Sequence, residues 1–524
     1  MTAKKAARVP TRRNVELALL LLVVLVLFVL QVATEIALLG ELTQTAFVLV
    51  GVIGAFLLIA HVLVRVFASY ADPVLLPCAA LLTGIGVIFI RRLDMSAIEL
   101  VEVDGVFVES QVYPTQADRL NIGLFDDPGG RQLLYLMAAV IVFVAVLWLV
   151  RDHRNLSRYP FILGLAGILM AASPAVIGQE INGSKLWISL GPVSVQPSEF
   201  AKLLLLVFFG YYLVRKREVL SLASKKFLGI PFPRAKDLIP VLVVWLISML
   251  IMIGIRDLGT SLLFFGLFVA MLYIATERIS WIIIGLSLFS GGVLLIYPFF
   301  SHLQLRVAIW LDPFADPTGD GRQLVQSLIG LGSGGLFGSG PGAGQPQATR
   351  PAANSDFILS GLGEELGLFG LSAILITYML LVVRGMRAGL MVRDSFGKLL
   401  AGGLAFSVGF QLFVVLGGVT KLIPLTGQTA PFMAAGGSSL LANWILLAML
   451  IRISDAGRRP QATPVGPIKI APPPAPVDDA PTQIVSVPSM AKNSGAETTT
   501  DTTNAPKPGD VYPHSPSTTP EVKP

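Results

Sequence analysis

Long apolar runs separated by short polar clusters organise this chain. Runs of about 20 apolar residues, the length that crosses a bilayer as a helix, start near Val15, Ala46, Val74, Gln132, Tyr159, Phe200, Leu238, Gly259, Trp281, Ile358, Leu399 and Phe432. None has the strict alternation of a barrel strand, and an open strand edge cannot face lipid. The pattern predicts an all-α polytopic membrane protein with about twelve transmembrane helices. A basic arm over residues 1–14 precedes the first run, and no short apolar stretch with a cleavage site stands out, so that run reads as an uncleaved span. From residue 456 to 524 the chain is rich in Pro, Thr and Ser. Such a composition buries too little apolar surface to fold and is predicted to be a disordered tail.

Polar residues between the runs assign the sides. Basic clusters lie in the N-terminal arm, in Arg151 to Arg158, in Arg215 to Lys236 and in Arg384 to Lys398, all on one side if twelve spans alternate. The other side holds an acidic loop from Asp94 to Asp127, a loop around Gly178 to Pro197, and a long loop over about 301–357. Basic residues collect on the cytoplasmic side, which places both termini in the cytoplasm of a multi-pass protein of the cytoplasmic membrane. Bulk composition agrees. The 524 residues are 54% hydrophobic and 14% charged, against about 25% charged in soluble domains, and the mean hydropathy is +0.73. The single cysteine, Cys78, excludes an intramolecular disulfide and a cysteine metal cluster. Membrane lipid is an expected partner and nucleic acid is not.

Candidate chemistry concentrates on the side opposite the basic loops. A loop of about fifty residues is more often functional than decorative. This one carries Arg306, a short amphipathic stretch with Gln323, Gln326 and Ser327, and Asp356 at its end. No G-x-x-x-x-G-K-[ST] phosphate loop occurs. Glu199 and Lys202, three apart at the start of a span, share a helix face, and ionisable groups within spans usually pair inside the bundle. Lys185 and Trp187 precede them. Asp257 stands between two spans almost without a loop, and Ser438 lies in a Gly-Gly-Ser-Ser turn. Irregular backbone at membrane depth must be buried in protein or line a cavity. Glu364 and Glu365 are expected inside a span, bonded to polar neighbours. These observations point to a polar site near one leaflet and leave enzyme and transporter equally open.

The ordered segments "WISLGPVSVQPSEFAK", "RDLGTSLLFF", "GRQLVQSLIGLGSGGLFGSG", "SDFILSGLGEELGLFG" and "IPLTGQTAPFMAAGGSS" resemble the SEDS family, which comprises the RodA, FtsW and SpoVE peptidoglycan polymerases. "TRRNVELALL", "YADPVLLP" and "RDHRNLSRYP" look like its actinobacterial RodA branch. The resemblance covers residues 72–455 as a ten-helix core and makes 15–71 a two-helix N-terminal addition. It implies polymerisation of lipid II into β-1,4-linked glycan outside the cytoplasmic membrane, for elongation and cell shape. It also implies a growing undecaprenyl-pyrophosphate-linked glycan and a class B penicillin-binding protein as partners. A lipid II flippase or an FtsW-like division polymerase is the alternative.

The implied reaction assigns roles. A sugar hydroxyl is a poor nucleophile and needs a general base. Asp356 matches the family's catalytic Asp, and partial desolvation should raise its pKa into a useful range. A helix N-cap is the plain alternative for an Asp in this place. Lys185, Arg306 and Arg322 are candidates for the pyrophosphate, and a divalent cation, Mg or Mn, could neutralise the same charge. Trp187, Glu199, Lys202, Asp257, Gln323, Gln326, Ser327, Glu364 and Ser438 are expected around the substrate cavity.

Overall fold

The computed structural model describes residues 11–96, 100–103, 106–109, 128–181, 184–191, 193–221, 225–227, 230–232, some positions between 239 and 254, and 257–460. Among these, eleven helices are long and apolar enough to cross a membrane. They lie in α1 (Arg13–Leu39), α2 (Gln44–Phe67), α3 (Leu75–Met95), α4 (Pro128–Leu149), α5 (Pro160–Ile177), α6 (Pro197–Ser221), α7 (Leu258–Thr276), α8 (Ser280–Ile296), α11 (Ile358–Met391), α12 (Ser395–Val419) and α13 (Gly437–Arg458). The span predicted from Leu238, the tail beyond residue 460 and most of the acidic loop lie outside the described residues. The last span begins at Gly437 rather than at Phe432, because residues 424–436 form an irregular segment instead of a first helical turn. Antiparallel hairpins add minor β structure to the helical fold. Of these, β1 (Leu100–Val103) pairs with β2 (Val106–Glu109), and β3 (Gln179–Ile181), β4 (Ser184–Leu190) and β5 (Val193–Val195) form a small sheet before α6.

Helices α3 and α13 sit at the centre, with 94% and 89% of their most apolar windows buried, whereas α8 is 6% buried and lies at the periphery. Small residues make the centre possible, since they let backbones approach closely within a membrane. A Cβ on Gly84 of α3 would meet Leu27 of α1 at 2.3 Å, and one on Gly86 would meet the Met433 carbonyl at 2.1 Å. Thus α3 takes α1 on one glycine and the irregular segment on the other. At the end of the bundle that gathers the basic loops, Asp72 pairs with Arg458 and lies 3.5 Å from Arg384. Tyr70 N–H donates to Asp455 at 2.8 Å, and His153 meets Asp394 at 2.8 Å. Desolvation opposes ionisation of Asp394, but His153, the Gly397 amide and Arg154 outweigh it and hold that carboxyl well below its ordinary range.

The segment between α8 and α11 is largely helical. Helices α9 (Ser301–Leu311) and α10 (Arg322–Gly334) are joined by short 3₁₀ turns to the chain leading into α11. The amphipathic stretch buries Leu324, Val325 and Ser327. Helix α11 is broken at Gly367, with φ 65° and ψ −172°, a conformation open to glycine and few other residues. Residues 335–340 insert at the break. Leu368 N–H donates to Gly335 O at 3.0 Å, Phe369 N–H to Leu336 O at 3.1 Å, and the Ser339 and Gly340 amides donate to the Glu364 and Glu365 carbonyls at 3.0 Å each. Backbone groups freed by the break therefore find partners in protein, as a buried position requires. The two glutamates close the same joint. Arg92 Nε donates to Glu365 Oε1 at 2.5 Å, and the Gly342 amide donates to Glu365 Oε2 at 3.0 Å. The Gln345 amide donates to Glu364 Oε1 at 2.7 Å.

Candidate active site

The irregular segment 424–436 is the hub of the site. It crosses the bundle between α12 and α13 and touches each polar element in turn. Asp257 caps α7, its Oδ1 accepting from the Thr260 amide at 2.9 Å, and Gln428 Nε2 donates to the Thr260 hydroxyl at 3.0 Å. Lys202 Nζ donates to Glu199 Oε2 at 2.6 Å and to Gln411 Oε1 at 3.0 Å. Gln411 Nε2 in turn donates to Thr429 O at 2.9 Å, and Thr429 shares a hydrogen bond with Ser439 at 3.3 Å. The Gln196 amide donates to Ser438 Oγ at 3.1 Å, which ties the strap before α6 to the start of α13. The Ala435 amide donates to Asn354 O at 2.8 Å, which fastens the chain just before Asp356.

Asp356 and Arg306 both lie beside Gly427, without a direct hydrogen bond or ion pair between them among the described residues. A methyl on Gly427 would lie 3.4 Å from the Arg306 guanidinium and 3.9 Å from Asp356 Oδ2. The glycine has φ +74°, a backbone conformation that favours glycine. Arg306 is aimed by α9: its Nη1 donates to Leu425 O at 2.7 Å, and Trp310 one turn on donates to Lys421 O at 3.1 Å. Asp356 does not cap α11. The N-cap residue is Phe357 and no side chain caps that end, which removes the plain structural reading of this carboxylate.

Electrostatics follow from burial. Desolvation pushes the Asp356 carboxyl up to about 6, against the opposing pull of the Arg306 guanidinium and the Ser355 hydroxyl. Burial likewise lowers Arg306, countered by Asp356 and Asp257. Asp257 is raised by burial, the Thr260 hydrogen bonds opposing and the Glu199 carboxylate adding to the rise. Its Oδ2 is buried with no hydrogen-bond partner among the described residues. A carboxylate tuned to near neutrality beside a fixed cation can take a proton from a hydroxyl while the cation stabilises a leaving anion.

The remaining candidates take different places. Ser327 is fully buried, and its hydroxyl donates to Val419 O at 3.0 Å, fastening α10 to the end of α12. Gln323 reaches Thr349 O at 3.4 Å, and Arg322 Nη2 donates to Arg350 O at 2.8 Å, both bracing the loop. Gln326 and Glu364 line a separate chamber of about 310 Å³. Lys185 is exposed and Trp187 half-buried on β4. Among the described residues, no hydrogen bond or ion pair joins either to the Asp356 cluster. The side chain of Arg256 lies outside the described residues.

Three participants went unnamed in the sequence: Gln411, Gln428 and Arg92. A single Gln inside the apolar run around Phe410 and a pair of Arg residues closing α3 were the available signals, since polar groups at membrane depth demand partners. Their partners are more than a hundred residues away in most cases, and no local pattern identifies them.

Comparison with known proteins places the chain in a family. The family described as cell cycle protein FtsW/RodA/SpoVE matches residues 91–459. The chain is 46% identical over 461 residues to the peptidoglycan glycosyltransferase RodA of Mycobacterium tuberculosis, covering 87% of this chain and 93% of that protein. It is 47% identical over 401 residues to RodA of Mycobacterium leprae, covering 76% and 81%. A solved structure on the structural coordination of polymerization and crosslinking by a peptidoglycan synthase complex superposes with a TM-score of 0.50 at 27% identity. It covers 62% of this chain and 89% of that one. The chain belongs to the FtsW/RodA/SpoVE family.

Proposed function

We propose that this chain, a peptidoglycan glycosyltransferase, polymerises lipid II into β-1,4-linked glycan at the Asp356–Arg306 site. The observation that carries the reading is a partly buried, non-capping carboxylate, raised to about 6, that lies beside Gly427 together with a guanidinium held by Leu425 O. The 4-hydroxyl of the acceptor sugar attacks the anomeric carbon of the donor. Its proton passes to the Asp356 carboxylate as the new C–O bond forms. The bond from that carbon to the pyrophosphate oxygen breaks, with inversion, and Arg306 receives the departing negative charge. Lys202 and Glu199 stay paired and hold Gln411, and through it the segment that carries Gly427.

A divalent ion is compatible with this site in one form. Among the described residues, no three His, Cys, Asp or Glu side chains come together as ligands. Mg²⁺, however, commonly takes only one or two carboxylates together with substrate phosphates, and the unpartnered Asp257 Oδ2 is the group to lend one. Such an ion would neutralise pyrophosphate charge.

The working surface faces outside, and both termini lie in the cytoplasm. The basic loops at the opposite end of the bundle support this. A class B penicillin-binding protein is the crosslinking partner, and an elongation role is favoured by 46% identity to RodA proteins against 35% to an FtsW of Geobacter metallireducens. Topology is testable by cysteine labelling, with Cys78 buried as a silent background. Gly105→Cys should react from outside in intact cells, and Lys225→Cys only after permeabilisation. The reverse pattern overturns the orientation.

Purified protein with its penicillin-binding partner and lipid II should yield glycan ladders, and their absence would refute polymerisation. The base must be ionised to act. Polymerisation kcat/KM should therefore rise tenfold per pH unit below about 6 and level off above it. Arg306 favours the ionised form, so Arg306→Ala should move that limb to higher pH as well as slow the reaction. A rate independent of pH between 5 and 7 would argue against Asp356 as the base.

A further inference from the structure

The chamber beside Glu364 is distinct from the Asp356–Arg306 site. It has a volume of about 310 Å³, is partly open, and lies between α10, the loop over 339–349 and the first turns of α11. That volume is at the small end for ligand pockets. Glu364 is the single charged residue in its lining, whose other polar groups are hydroxyls and amides, among them Gln326, Ser333, Ser339 and Ser360, beside apolar Ile329, Pro346 and two alanines. Glu364 is 9% exposed. One of its oxygens accepts from the Gln345 amide at 2.7 Å, and the other has no hydrogen-bond donor among the described residues. Its neighbour Glu365 takes Arg92, and among the described residues no ion pair reaches Glu364.

A carboxylate held this deep is costly without a donor, yet the chain keeps space open next to it. A methyl on Gly330 would come within 3.2 Å of the free oxygen, Oε2, and one on Gly344 within 3.2 Å of Oε1. The chamber therefore repels an anion such as pyrophosphate and accepts a donor-rich or cationic group. Distance narrows the choice. Glu364 lies eight residues after Asp356 on a chain that is helical from Ile358 onward, so the two are on the order of 10 Å apart along the chain. A peptide of three residues spans about 10–11 Å when extended. A short peptide attached to a sugar at Asp356 can thus place the side chain of its third residue beside Glu364.

Resting on the polymerase reading, we propose that this chamber is a second substrate subsite, in which Glu364 receives a primary ammonium carried by the peptide of the sugar substrate. The hydroxyls and amides around it meet the peptide's own amide groups. The bond is a charge-assisted one to a desolvated carboxylate, and its loss is expected to weaken binding about tenfold or more.

Two probes test this: lipid II with a free lysine ammonium in its peptide, and the same lipid II acetylated at that nitrogen. The purified complex with the penicillin-binding partner should polymerise the ammonium probe with a KM about tenfold lower than the acetylated one. Glu364→Gln should abolish that difference by raising KM for the ammonium probe, with the larger change in KM rather than kcat. Gly330→Ala, which crowds the free oxygen from a helix that tolerates alanine, should reduce the difference in the same direction. Equal KM for both probes in the wild-type protein overturns the subsite while leaving polymerisation intact. A Glu364→Gln effect of equal size on both probes also overturns it, and marks Glu364 as a clamp for the Gln345 loop. Wild-type protein that polymerises neither probe overturns the polymerase reading and the subsite with it.

Discussion

Asp356→Asn is expected to fold, bind its penicillin-binding partner and lose about 10²–10⁴-fold in polymerisation rate, the usual contribution of a general base. The structure sharpens this expectation. Because the side chain does not cap α11, the substitution removes no cap, and stability should be nearly unchanged. Asn also keeps the volume beside Gly427 and can still accept a hydrogen bond from Ser355. Its amide cannot accept the acceptor's proton. The variant also removes the negative charge beside Arg306, so substrate pyrophosphate should bind at least as well as before. The loss should therefore fall in kcat, with KM for lipid II unchanged or lower. Glycan ladders of normal length and rate from this variant would remove Asp356 from the chemistry. A variant that fails to fold would instead assign the carboxylate a structural role that the absence of a cap contradicts, and thermal unfolding in detergent separates the two outcomes.

Glu199→Ala should destabilise the protein by about 3–5 kcal/mol, the cost of stranding one member of a buried ion pair. Lys202 is 1% exposed, and without Glu199 its ammonium keeps only the Gln411 carbonyl at 3.0 Å. Lower yield and a lower unfolding midpoint are the expected readouts. Exchanging the two residues, Glu199→Lys with Lys202→Glu, should recover stability better than either single change, because a pair is again present. Activity should recover less. Gln411 would then face a carboxylate and must turn its amide, giving up the 2.9 Å bond to Thr429 O that fixes the hub segment. If both single variants match the wild type in yield, midpoint and rate, the pair is no part of the support for the site.

Pattern alone determined the membrane class and the position of nearly every span, because each depends on local composition summed over about 20 residues. The five ordered segments named the family, and Asp356, Glu199 and Lys202 could be picked out as charges in places where charge is expensive. Only the tertiary structure decided what those charges do. Arg306 came to lie on the same side of Gly427 as Asp356 because α9 docks on residues 421–425, more than a hundred positions later. Arg92 and Glu365, separated by 273 residues, turned out to lock the break at Gly367, and Ser327 to be a fastening to Val419. Within the segment over 301–357 only α10 left a sign, as a short amphipathic stretch, and α9 went unread, since both are too short to carry a span's signal and are held by tertiary packing rather than by propensity. The chamber at Glu364 has no sequence signature at all. It exists because three separate stretches of chain leave two glycines facing one carboxylate, and that is a property of packing in three dimensions.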